Sequence, residues 1–153
     1  MSRRSITLGT WNGKPIQWLV LKEEGLATFC ISKEIIFSHC YNDNENKGSN
    51  YAKSDIRKYL NCNFFKTAFN EVEKKKIVSV KNTDSNTKDN VFLLSKSEIE
   101  SLMANGERIC GAYWYTRTQY NSVTVYEHRA YNADFWQYLT DTDGIRPGVW
   151  IKE

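Results

Sequence analysis

Residues 141–153 read DTDGIRPGVWIKE, and the fold turns on how this stretch is placed. Gly144 permits a turn after the two acids, Pro147 fixes the backbone beyond it, and Val149, Trp150 and Ile151 have the composition of a strand. Just upstream, Tyr113-Trp114-Tyr115 and Ser122-Val123-Thr124-Val125 read as paired strands across residues 118–121. The N-terminal part is built the same way. Ile6 to Thr10 leads into Asn12-Gly13, the strongest short hairpin signal, and the chain returns with Ile16, Trp18 and Val20 on one face. A turn at Glu23-Glu24-Gly25 predicts a third strand over residues 27–32.

Helices are expected between these strand-rich regions. Residues 41–49 are turn chemistry throughout. Ser54 can then cap residues 55–60, with Asp55 in the first turn and Ile56, Tyr59 and Leu60 on one face. Asn70 with Glu73, and Ser95 with Glu98, have the spacing of capping boxes; the second opens a helix through Ile99, Leu102 and Met103 that stops at Asn105-Gly106. Residues 82–90 read as a solvated polar loop and residues 91–94 as a buried strand. Strands, then helices, then strands predict a single α+β domain over 1–153.

Composition narrows the function. With 41% hydrophobic and 25% charged residues the chain is of globular type. A net charge of +3 is too small for the basic face that nucleic acid requires, and Lys74-Lys75-Lys76, following Glu71 and Glu73, reads as a solvated helix face. No window approaches the roughly 20 apolar residues of a membrane span. No apolar stretch follows Arg3 and Arg4, so no signal peptide is expected and the cytoplasm is the expected location. Cys30, Cys40, Cys62 and Cys110 form no C-x-x-C pair and read as free thiols; neither a metal nor a cofactor is expected.

Several segments together resemble a known family. WNGKPIQWLVL, YAKSDIRKYLN followed by FF, NTKDNVFLLSKSEIESLM, YWYTR and GIRPGVWI occur in this order in DUF6273-type domains of Firmicutes and their phages, a family of unknown activity. That family in turn resembles the C-type lectin-like fold of phage tropism determinants and formylglycine-generating enzymes. The resemblance implies antiparallel sheets with two or three short helices and chain ends that lie close together. Val149-Trp150-Ile151 would pair near Ile6-Thr7-Leu8 or beside a central strand. It also implies a place in a phage particle as an alternative to the cytoplasm. Arg146 would be braced from beneath by carboxylates or carbonyls, with Asp55, Asp141 or Asp143 as the expected acid. An arginine cannot give up its proton, and one alone makes no active site.

Chemistry is poorly supported by the residues. Asp141 and Asp143 sit beside Gly144 as turn formers, and Glu127-His128 are neighbours that do not orient one another. The formylglycine-generating relatives use a cysteine pair late in the chain, whereas here only Cys110 lies in that half. The Glu-Pro-Asn and Trp-Asn-Asp triplets of calcium lectins are missing, and Asn132-Ala133-Asp134 is a weak substitute. What remains is an aromatic surface of the composition used for recognition. Tyr120, Tyr126, His128, Arg129, Tyr131 and Trp136, on late loops, are expected to meet a protein or glycan ligand, while Trp114, Arg117, Arg146 and Trp150 are expected to be structural. The expectation is a non-catalytic recognition module. The alternatives are an enzyme with an unrecognised site on a formylglycine-generating-like fold, or a phage-encoded inhibitor of a host factor.

Overall fold

The computed structural model describes residues 3–129 and 132–153, with the side chains of 132–134 outside the description. Strands β1 (Ser5–Trp11) and β2 (Lys14–Glu24) form the expected hairpin, and Asn12 and Gly13 both take the positive φ, 50° and 77°, that its two-residue turn needs. Strand β3 (Ala27–Ser32) continues the meander, and β4 (Phe37–Cys40) leaves it for a second sheet.

Helix α1 (Asp55–Tyr59) is capped by Ser54, passes through a π-turn over Leu60–Phe64, and continues as α2 (Phe65–Ala68). The capping boxes at Asn70 and Ser95 form as their spacing predicts, opening α3 (Glu71–Lys74) and, later, α4 (Lys96–Leu102). Between them run β5 (Ile77–Val78), the hairpin β6 (Val80–Asn82) and β7 (Thr87–Asp89), and β8 (Phe92–Leu93). The expected solvated loop at 82–90 is therefore that hairpin, turned at Asn86 with φ 54°. Its acids are engaged: Asp84 binds Arg117 at 3.0 Å and buried Asp89 binds Arg57 at 2.8 Å.

The last third is strands: β9 (Trp114–Asn121), β10 (Thr124–Arg129), β11 (Asn132–Tyr138), β12 (Thr142–Ile145) and β13 (Pro147–Lys152). Two expectations are corrected here. The aromatic segment after Tyr126 was expected as loops, but its described residues are strands, because β10 pairs with β9 on one side and β11 on the other. Thr142–Ile145, expected as a turn, pairs antiparallel with β4 and meets β9 in parallel through Gly144 and Trp114. A Cβ on Gly144 would lie 2.5 Å from the Tyr113 carbonyl oxygen, so this glycine serves a close strand approach rather than a turn.

Strand order in the first sheet is β1-β2-β3-β13-β5, with β8 also pairing β13. The closing strand is thus central, as one of the two expected placements had it. The hairpin turn commits β1 to β2 and the Gly25 turn commits β2 to β3, which leaves the free edge of β3 for β13. The terminal strands are not neighbours, yet the ends meet, with Arg4 Nη2 2.8 Å from Glu153 Oε1. Around this sheet the core closes: the Trp18 indole donates to the Leu8 carbonyl at 2.8 Å, and Trp150 stacks on Phe29 at 5.2 Å. At the β1 bulge, Gly9 has φ 82°, and any Cβ there would lie 2.7 Å from the Phe69 ring. The result is an α+β domain of antiparallel sheets with short helices. Among the described residues no helix is long and apolar enough to cross a membrane.

Candidate functional site

The second sheet, ordered β11-β10-β9-β12-β4, ends at β11, and no other strand pairs with β11 among the described residues. Tyr126 lies opposite Trp136, and Thr124 opposite Tyr138, so the three rings share one face. Tyr120 of β9 joins them. Its ring centroid is 5.3 Å from Tyr126 and 6.2 Å from Trp136, nearly parallel to the indole at 17°, and Trp136 meets Tyr138 edge-on at 5.2 Å. Lys96 of α4 places its ammonium 5.3 Å above the Tyr126 ring.

The opposite face carries a second group. The Arg129 guanidinium lies 4.9 Å from the Tyr113 ring and 5.3 Å from the Phe135 ring, and its Nε donates to Glu127 at 2.6 Å. Tyr113, Tyr120, Phe135, Trp136 and Tyr138 are each between 40% and 49% exposed, so among the described residues five of the eight exposed large apolar side chains gather on these strands and the residue that precedes them. From the core, the Tyr115 hydroxyl reaches the carbonyl oxygens of Tyr138 and Asp141 at 2.7 and 2.6 Å. That contact fixes the end of β11.

Beneath Arg129 two carboxyls are buried together. Among the described residues Glu127 Oε1 and Asp143 Oδ2 accept from no donor, and the two carboxyls act on each other. Two buried carboxyls side by side do not both ionise, so one keeps its proton. Burial, and then Glu127, push the Asp143 carboxyl up to about 8. A shared proton leaves the pair one negative charge, which Arg129 matches.

Of the expected contact residues, Tyr120, Tyr126 and Trp136 come together, and Arg129 stands on the reverse face. His128 is corrected: it is 1% exposed and stacked on Trp114 at 5.0 Å, because cross-strand pairing sets it opposite that buried indole. Burial, followed by the charges of Arg108 and Arg146, pushes its imidazole down to about 4. Tyr131 lies outside the described residues. Sequence reading missed Tyr113, Phe135 and Tyr138; reading residues 132–138 as a strand would have put Tyr138 beside Trp136.

The expected braces are internal. Arg117 is buried against Asp84, Glu98 and the Leu93 carbonyl. Arg146 is fully buried, donates to the carbonyls of Ser32 at 2.8 Å and Lys33 at 3.0 Å, and lies 5.0 Å from the Trp114 ring. The expected acidic partner is corrected: Asp143 is held by Glu127, Asp55 by Lys47, and Asp141 is exposed. Burial raises the Cys110 thiol above its ordinary range, away from the thiolate a nucleophile needs. Among the described residues, no three His, Cys, Asp or Glu side chains gather as a metal site.

The family model described as Domain of unknown function (DUF6273) matches residues 17–153. The chain belongs to the DUF6273 family. Neither a curated protein nor a solved structure matches it. The family description assigns no activity, so function must come from the geometry.

Proposed function

We propose that this DUF6273 domain is a non-catalytic recognition module whose ligand is an extended segment of another protein laid along β11. The observation that carries this is the presence of exposed rings on both faces of an edge strand, Trp136 and Tyr138 on one and Phe135 on the other. A free strand edge offers backbone donors and acceptors to an added strand, whose alternate side chains would meet rings above and below. A sugar ring, the other expected ligand, would stack on one face only. The depressed histidine and raised thiol favour binding over catalysis. The same proposal takes the fold to be a compact relative of the C-type lectin-like fold, of bacterial or prophage origin. In its support, the chain ends meet through Arg4 and Glu153.

The test is a peptide display selection paired with a glycan array, followed by calorimetry on Phe135→Ala and Trp136→Ala. Loss of peptide binding in both variants, with slowed hydrogen exchange of β11 amides in the complex, is the expected result. A glycan ligand that needs Trp136 but is indifferent to Phe135 would overturn the protein-ligand reading and keep the recognition surface.

A further inference from the structure

A second candidate site shares no lining residue with the β11 surface and lies where α1 and its π-turn face β7. There a cavity of about 580 Å³ is lined by five cations and only two carboxylates. Lys47 is spent on Asp43 and Asp55. Exposed Lys53, Lys58 and Lys88 have no ion pair among the described residues. Three ammonium groups around one concavity repel each other and draw an anion.

The wall is built rather than incidental. The π-turn over Leu60–Phe64 carries Asn61 into it, and such turns recur at functional sites. Asn61 ties helix to hairpin: its oxygen accepts from the backbone N–H groups of Asn90 and Val91 at 2.9 and 3.1 Å, and its amide donates to the Val91 carbonyl at 2.9 Å. Arg57 is pinned at 2.8 Å to Asp89 Oδ1. Asp89 also lines the cavity, its side chain is 1% exposed, and its second oxygen has no donor among the described residues. A buried acceptor without a donor is costly, and a hydroxyl would satisfy it.

We propose that this cavity binds a small phosphorylated polyol, its phosphate among Lys53, Lys58 and Lys88 and a hydroxyl on Asp89. Cations without anions and an acceptor without a donor, in one cavity, together call for a ligand that carries both groups. Inorganic phosphate answers the first need and a neutral sugar the second, whereas one ligand carrying both groups answers them together. The site is independent of the β11 edge.

Thermal melts and calorimetry on the intact chain test it with three probes: glucose 6-phosphate, inorganic phosphate and glucose. At a hundredfold excess over its Kd the sugar phosphate is expected to raise the melting midpoint by about 8 °C, phosphate less, and glucose not at all. The variant K53A/K58A/K88A changes only exposed side chains and is expected to weaken sugar phosphate binding at least about tenfold, the scale of lost charge-assisted contacts. Asp89→Asn sharpens the test by removing the preference for sugar phosphate over phosphate; if it unfolds, comparing phosphate with glucose 6-phosphate on the parent chain decides the same point. Equal binding of phosphate and glucose 6-phosphate, binding that survives the triple variant, or tighter retention of a DNA oligonucleotide would each overturn the proposal.

Discussion

Strands β11 and β13 are nearly the same length, both rich in aromatic and apolar residues, and only eight residues separate them along the chain. Strand β13 has β3 on one side and β5 and β8 on the other, and it buries Val149 and Ile151 completely or nearly so. Among the described residues strand β11 pairs with β10 alone, and it leaves Phe135, Trp136 and Tyr138 partly exposed. Similar composition has two fates, decided by how many strands lie alongside. Hydrophobic content therefore identifies a strand without saying whether its side chains belong to the core or to a partner.

The largest expected effect tests the β13 side. Ile151→Ala removes buried methylenes from a strand held on both edges, and urea unfolding is expected to give a loss of about 2–5 kcal/mol. A loss below about 1 kcal/mol would mean that β13 relaxes as freely as an edge strand, and the contrast would fail.

Next in size is a pH effect from two buried groups of the second sheet, Asp143 on β12 and His128 on β10. Asp143 is raised from 3.8 to about 8, so its stabilising contribution is complete below the lower value and is lost as pH climbs through the upper one. His128 is lowered from 6.5 to about 4, so its contribution is complete above the upper value and is lost as pH falls through the lower. Between about pH 4 and 6.5 the two slopes oppose each other. From about 6.5 to 8 only Asp143 acts, and stability is expected to fall by up to about 1.4 kcal/mol per pH unit. Urea midpoints measured in half-unit steps check this, and Asp143→Asn is expected to remove the decline. A wild-type profile that stays level across that interval would mean that Glu127 and Asp143 do not hold a proton between them.

Local signals in the sequence were enough for the local structure. Asn12-Gly13 gave the first hairpin, and Asn70 with Glu73 and Ser95 with Glu98 gave two helix starts, because each signal is completed within a few residues. Placement across the sheets was not legible in the same way. His128 looks like a binding residue until its strand sets it opposite Trp114, and Arg146 looks like the partner of an acid until two carbonyls from residues 32 and 33 are found beneath it. Both facts depend on contacts far apart in the chain. The aromatic segment was read as a recognition surface from composition, but without its register Tyr138 and Phe135 could not be assigned to faces.

The smallest expected effect on stability carries the most weight for function. Trp136 is 40% exposed and its ring contacts are with the likewise exposed Tyr120 and Tyr138, so on Trp136→Ala unfolding is expected to change by about 1 kcal/mol. Pairing it with Tyr120→Ala in a double-mutant cycle is expected to give a coupling of about 0.5–1 kcal/mol, the worth of one stacked pair. A large cooperative loss would instead assign the indole to the core and remove the recognition surface with it. With the fold intact, any ligand affinity lost on the same substitution is attributable to the exposed ring, because the strand beneath it remains held by β10 and anchored from the core by the Tyr115 hydroxyl.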